Sequence, residues 1–116
     1  MSKADEIKVG EYVRTEEGYI GKYKKDGLVK HTVEIEDNQM SWITGEHNIV
    51  KHSKNIIDLI EVGDYVNGER INEKFYDYAN NEYHLVTKAN KHYFKENIKS
   101  ILTKEMFEAN VYKLEE

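Results

Sequence analysis

Val9-Gly10-Glu11-Tyr12-Val13 returns 53 residues later as Val62-Gly63-Asp64-Tyr65-Val66. Each copy follows an Ile and a charged residue, Ile7-Lys8 and then Ile60-Glu61. A Gly-acid pair ahead of alternating residues marks a turn that launches a β-strand. Glycine supplies the unusual backbone angles and the acidic residue tolerates the turn. The repetition predicts two small β-modules built on one plan.

Working outward from the first copy, Tyr12 to Thr15 alternates, Glu16-Glu17-Gly18 turns, and Tyr19 to Lys24 runs back. Asp26-Gly27 then suits a tight primed turn. Lys30 to Glu36 and Met40 to Thr44 read as two further strands, the second carrying Trp42. Ser53 stands as a helix N-cap, and Ile56, Leu59 and Ile60 fall on one helical face. The expectation is a short linker helix, or a single turn, over residues 53–61.

From the second copy, Asn67-Gly68 is a strong hairpin signal. Glu69 to Ile71, Phe75 to Tyr78, Glu82 to Thr87, His92 to Lys95 and Ile98 to Leu102 read as strands. Thr103 caps a short helix, Lys104 to Ala109. Asn110 is expected to end it in a left-handed conformation, and Val111 to Leu114 to close the chain as a strand. The expected organisation is a β-module over 1–52, the linker helix over 53–61, and a second β-module over 62–116 with a short C-terminal helix. The Val-Gly-acid-x-Val phrase is similar to the first strand of SH3-like small barrels. The fold class predicted is therefore mostly β, with two SH3-like modules in tandem.

Each half of roughly 55 residues is small for an independent core, so shared burial or a homo-oligomer is expected. Nine Tyr support the same expectation, because Tyr is enriched at interfaces. The chain has 116 residues, no Cys and no Pro. Without Cys there is no disulfide framework. No run reaches the ~18 apolar residues of a membrane span, and the N-terminus lacks the apolar core of a signal peptide. A cytoplasmic protein with no membrane partner is expected. The 22 acidic residues outnumber 17 basic ones. The one dense basic stretch, Lys22-Tyr23-Lys24-Lys25, reads as a solvated hairpin edge. Nucleic acid is thus not an expected partner.

Motifs for catalysis are missing from this sequence. Ser41, Ser53 and Ser100 have no Gly-x-Ser-x-Gly context, and no Gly-x-x-x-x-Gly-Lys loop occurs. His47 and His52 share neither a helix face nor a strand face, and no His-Glu-x-x-His run is present. The expectation is a protein that is not an enzyme and has no cofactor and no metal. Arg14 and Arg70 are the only arginines, hence the candidates for planar recognition of phosphate. Trp42, Tyr76 and Tyr78 are the aromatic residues expected to stack on a base. The alternative is that both arginines cover exposed sheet and pair with nearby Glu.

The run from Ile49 to Gly68, IVKHSKNIIDLIEVGDYVNG, resembles a phrase of small phage and prophage proteins of clostridia-like bacteria. Gly10 to Thr15 and Ile98 to Glu108 resemble the same group. Phage accessory proteins of this size often counter host defence. Some sequester nucleotide immune signals as oligomeric sponges, and others block a host protein by contact. By that resemblance, the expected function is a phage counter-defence sponge in the host cytoplasm. It would bind a small nucleotide-like ligand through Arg14, Trp42, Arg70, Tyr76 and Tyr78. The alternative is an inhibitor that binds a host defence protein directly.

Overall fold

The computed structural model describes residues 7–111 and Leu114. The chain is mostly β and divides into two compact units, residues 1–59 and 60–116. Unit 1 is a five-stranded antiparallel sheet of β1 (Tyr12–Thr15), β2 (Ile20–Asp26), β3 (Thr32–Glu36), β4 (Ser41–Gly45) and β5 (Ile49–Ser53). Unit 2 holds β6 (Tyr65–Val66), β7 (Glu69–Asp77), β8 (Glu82–Thr87), β9 (His92–Tyr93) and β10 (Ile101–Leu102), followed by helix α1 (Lys104–Asn110). The sheet orders are β4-β3-β2-β1-β5 and β9-β8-β7-β6-β10. They are the same order, strand for strand.

The identity of plan reaches below strand order. In each repeated phrase the glycine has positive φ, +92° at Gly10 and +99° at Gly63. There a side chain would crowd its own backbone. Each acidic residue closes the turn on itself. Glu11 Oε1 accepts from the Lys8 N–H at 2.6 Å, and Asp64 Oδ2 accepts from the Glu61 N–H at 2.7 Å. In β1–β2, Val13 faces Gly21; in β6–β7, Val66 faces Glu69. A β-bulge follows at the same place in both units, after the pairs Tyr23–Ile35 and Ile71–Thr87. Such a bulge adds local twist and helps a small sheet to curl. A 3-10 turn precedes the last strand of each sheet, Glu46–Asn48 and Lys95–Asn97. These turns end on Ile49 and Ile98 with nearly equal angles, φ/ψ −82°/117° and −81°/117°.

Alternation places the cores. In unit 1, Ile7, Val13, Tyr23, Val33, Ile35 and Ile49 form one buried cluster with Trp42 packed against it. In unit 2, Val66, Ile71 and Leu85 are fully buried on its strands. No helix among the described residues is long and apolar enough to cross a membrane.

Several expectations change. Of the two forms expected for segment 53–61, the linker helix does not form and the single turn does, as a 3-10 turn, Ile56–Leu59, within unit 1. Ser53 Oγ still accepts from the Asn55 N–H at 3.1 Å, yet its own O–H goes to Asp58 Oδ2 at 2.5 Å. Leu59 and Ile60 are buried as expected; Ile57 takes the buried place given to Ile56. A strand the sequence reading omitted, β5, pairs with β1. The two expected strands around Asn72 to Lys74 are one bulged strand, β7. Asp26-Gly27 is no tight turn: β2 and β3 are joined by residues 27–31, with His31 at φ 64°. Thr103 caps α1 as expected, accepting from the Met106 N–H. Asn110 ends that helix without turning left-handed; its Nδ2 donates to the Met106 carbonyl at 2.6 Å. Of the closing strand expected over Val111 to Leu114, Tyr112 and Lys113 lie outside the described residues.

Candidate functional site

The β1–β2 and β3–β4 connections of unit 1 build a recess. Thr15 and Tyr19 close the first hairpin through two bonds. The Thr15 N–H donates to the Tyr19 carbonyl at 3.0 Å, and the Tyr19 N–H donates to Thr15 Oγ1 at 3.1 Å. The second connection is an Asx turn. Asp37 Oδ1 accepts from the Gln39 and Met40 N–H groups at 2.8 and 2.9 Å. Those two backbone bonds, Gln39 first, hold the Asp37 carboxyl below its ordinary value of 3.8. It is therefore ionised at neutral pH.

Tyr19, Asp37, Met40 and Trp42 line a recess of about 350 Å³. The Tyr19 and Trp42 ring centroids lie 6.0 Å apart, tilted by 56°. The indole lies over Gly21. A Cβ added there would meet Trp42 Cη2 at 3.0 Å, Ile35 Cγ2 at 2.6 Å and the Glu36 carbonyl oxygen at 2.8 Å. Only a residue without a side chain lets the ring settle onto the sheet. A second hollow of about 360 Å³ shares Asp37 and is lined by Tyr12, Ile20, Lys22, Glu36 and Asn38 among others. Two aromatic faces, a thioether and a carboxylate together suit a cation that carries apolar surface. Ring quadrupoles and the carboxylate both attract positive charge.

The five expected site residues are divided between the two units. Arg14 is fully buried, contrary to both sequence expectations for it, and its guanidinium donates to the Leu59 carbonyl at 2.9 Å. That bond ties β1 to the 3-10 turn of the same unit, so this arginine serves the fold. Trp42 stands in unit 1. Arg70, Tyr76 and Tyr78 stand in unit 2, where Arg70 is exposed near the start of β7. Arg70 and Tyr76 are six residues apart on one strand, about 20 Å at ~3.3 Å per residue. Tyr76 meets Tyr78 and Tyr83 edge-on, at 4.9 and 5.2 Å between centroids.

The sequence reading missed Tyr19, Asp37 and Met40. Their signal was Asp37-Asn38-Gln39-Met40, an Asx-turn sequence placed immediately before Trp42. It also missed a cluster in unit 2. Phe75 on β7, His84 on β8 and Phe94 just after β9 lie side by side, with the His84 centroid 4.7 Å from Phe75 and 4.3 Å from Phe94. Among the described residues, no group of three or more His, Cys, Asp or Glu is placed to hold a metal ion.

Comparisons with protein-family models, curated proteins and solved structures return no match for this chain.

Proposed function

We propose that this chain works by binding a protein, with the Tyr19–Trp42 recess receiving a Lys or Arg side chain of the partner. The observation that carries the reading is the composition of that recess: two tilted aromatic rings and an ionised carboxylate held by its own loop. An anionic phosphate would be repelled by Asp37, and the buried Arg14 offers it no clamp. Of the two phage roles implied by resemblance, this supports the inhibitor that contacts a host defence protein over the nucleotide sponge. We also assign each unit to the SH3-like small barrels. The support is the shared strand order, the bulge after the first long hairpin pair and the 3-10 turn before the last strand. Such scaffolds present ligands to loops at one end of a rigid sheet.

The test uses the single Trp as its own reporter. Titrating a short Lys- and Arg-containing peptide should change Trp42 fluorescence saturably. Tyr19→Ala and Asp37→Asn should each weaken that binding about tenfold, the scale of one cation–π or charged contact of ~1–2 kcal/mol. A cyclic dinucleotide or an ADP-ribose derivative should leave the signal unchanged. A saturable response to the nucleotides and none to the peptide would return the account to the sequestration role.

A further inference from the structure

His84 on β8 and His92 on β9 bring two ring nitrogens together: His84 Nε2 and His92 Nδ1 are 2.8 Å apart. The rings meet edge-to-face at 4.7 Å between centroids. His84 is clamped between Phe75 and Phe94, whereas His92 is exposed. The shared plan makes this cluster informative. Matching strand positions in unit 1, taken from the pairing registers, are Gly27 for Phe75, Thr32 for His84, Gly45 for Phe94 and Ile43 for His92. Unit 1 closes the same three strands with none of these four rings. At the corner matching Phe94, unit 1 instead sets the His47 ring against Gly45.

We propose that His84 and His92 form a two-nitrogen chelate for a divalent first-row transition-metal ion. In the metal-free pair one imidazole donates its N–H to the lone pair of the other. On binding, that proton moves to the far nitrogen of its own ring. Both facing nitrogens then offer lone pairs, with no net proton released. The exposed His92 ring supplies the small rotation needed, while the two phenyl rings hold His84 still. Metal–imidazole bonds are about 2.0–2.1 Å, so two nitrogens at a right angle lie about 2.9 Å apart and at a tetrahedral angle about 3.3–3.4 Å. The 2.8 Å seen here is the hydrogen-bond length of the metal-free pair, so the rings need open only slightly to reach either spacing. Imidazole nitrogens suit Ni2+, Cu2+ and Zn2+. Water completes the coordination, since no third His, Cys, Asp or Glu among the described residues joins the pair.

Calorimetric titration of the full, untagged chain with NiCl2 and with ZnCl2 tests this. One Ni2+ or Zn2+ per chain is expected. His84→Gln and His92→Gln should each weaken Ni2+ binding at least tenfold, while His47→Gln leaves it unchanged. Because His92 is exposed, its variant keeps the test valid even if His84→Gln disturbs the fold. Absence of saturable binding up to millimolar NiCl2, or binding that survives the His92 substitution, would overturn the proposal.

Discussion

The two units run the same course and part company at a few side chains. In unit 1 the acidic residue of the repeated phrase is Glu11; in unit 2 it is Asp64. Both close the launching turn with one oxygen. The second oxygen differs. Glu11 reaches His52 of β5 at 3.3 Å, whereas the shorter Asp64 accepts from the Lys104 N–H, at the start of α1, at 2.9 Å. The turn is thus tied to the last strand in unit 1 and to the helix in unit 2. A second divergence concerns the recess. Where unit 1 sets Trp42 over Gly21, the matching positions of unit 2 carry Lys91 and Glu69, joined as an ion pair at 3.3 Å. A shared scaffold has an aromatic recess in one copy and a solvated charge pair in the other.

Breaking the turns should give the largest effect. Asp64 is fully buried and accepts two backbone N–H bonds. Asp64→Ala should cost about 3–5 kcal/mol, since it removes two bonds to a charged group, each worth ~1.5–3. Glu11→Ala, which removes one such backbone bond, should cost about 1.5–3 kcal/mol. Urea titrations of the two variants measure the difference, and equal losses would erase the distinction drawn above.

The recess comes next. Gly21→Ala forces a Cβ against Ile35 and the Glu36 carbonyl. A loss of about 1–3 kcal/mol is expected, as for overpacking, together with a red shift of Trp42 emission. The matching position in unit 2 already carries a side chain, so Glu69→Ala relieves no overlap there; it removes the acceptor of the Tyr93 hydroxyl, and the near-ultraviolet tyrosine signal should change.

A smaller effect concerns pH. Burial pushes the Glu11 carboxyl upward, but the Lys8 N–H and the His52 imidazole outweigh it and hold its folded value below the ordinary 4.5. Stability from this group is therefore complete above about pH 4.5 and is lost as pH falls through the lower folded value. Thermal unfolding midpoints should drop over that acid range. Glu11→Gln should flatten part of the drop, and an unchanged acid slope would remove Glu11 from the account. Least of all, Lys104→Ala removes the exposed ion pair with Glu61 at 2.8 Å and should cost under about 1 kcal/mol.

Much of the fold was legible because its signals are local. The Gly-acid turns, the Asn67-Gly68 hairpin and the Thr103 cap each act within four residues of chain, and each is present. What escaped depends on distant partners. β5 hides in Ile49 to Ser53, where His52 and Ser53 look polar until β1 is known to run beside them. Its counterpart, Ile98 to Leu102, was read as a strand, so the repeat itself held the missing clue. Arg14 looked like a surface anchor, but its partner is a carbonyl 45 residues away. The recess escaped for the same reason. Trp42 was visible alone, yet Tyr19 and Asp37 join it only when two hairpin ends meet.

Backbone and indole N–H chemical shifts of the 116-residue chain, followed by NMR during titration with a Lys- and Arg-containing peptide, test the central claim most directly. The account predicts saturable shifts at Tyr19, Gln39, Met40 and the Trp42 indole, with Glu69 and Lys91 unmoved. Shifts confined to unit 2, or none at the Trp42 indole at saturating peptide, would contradict it.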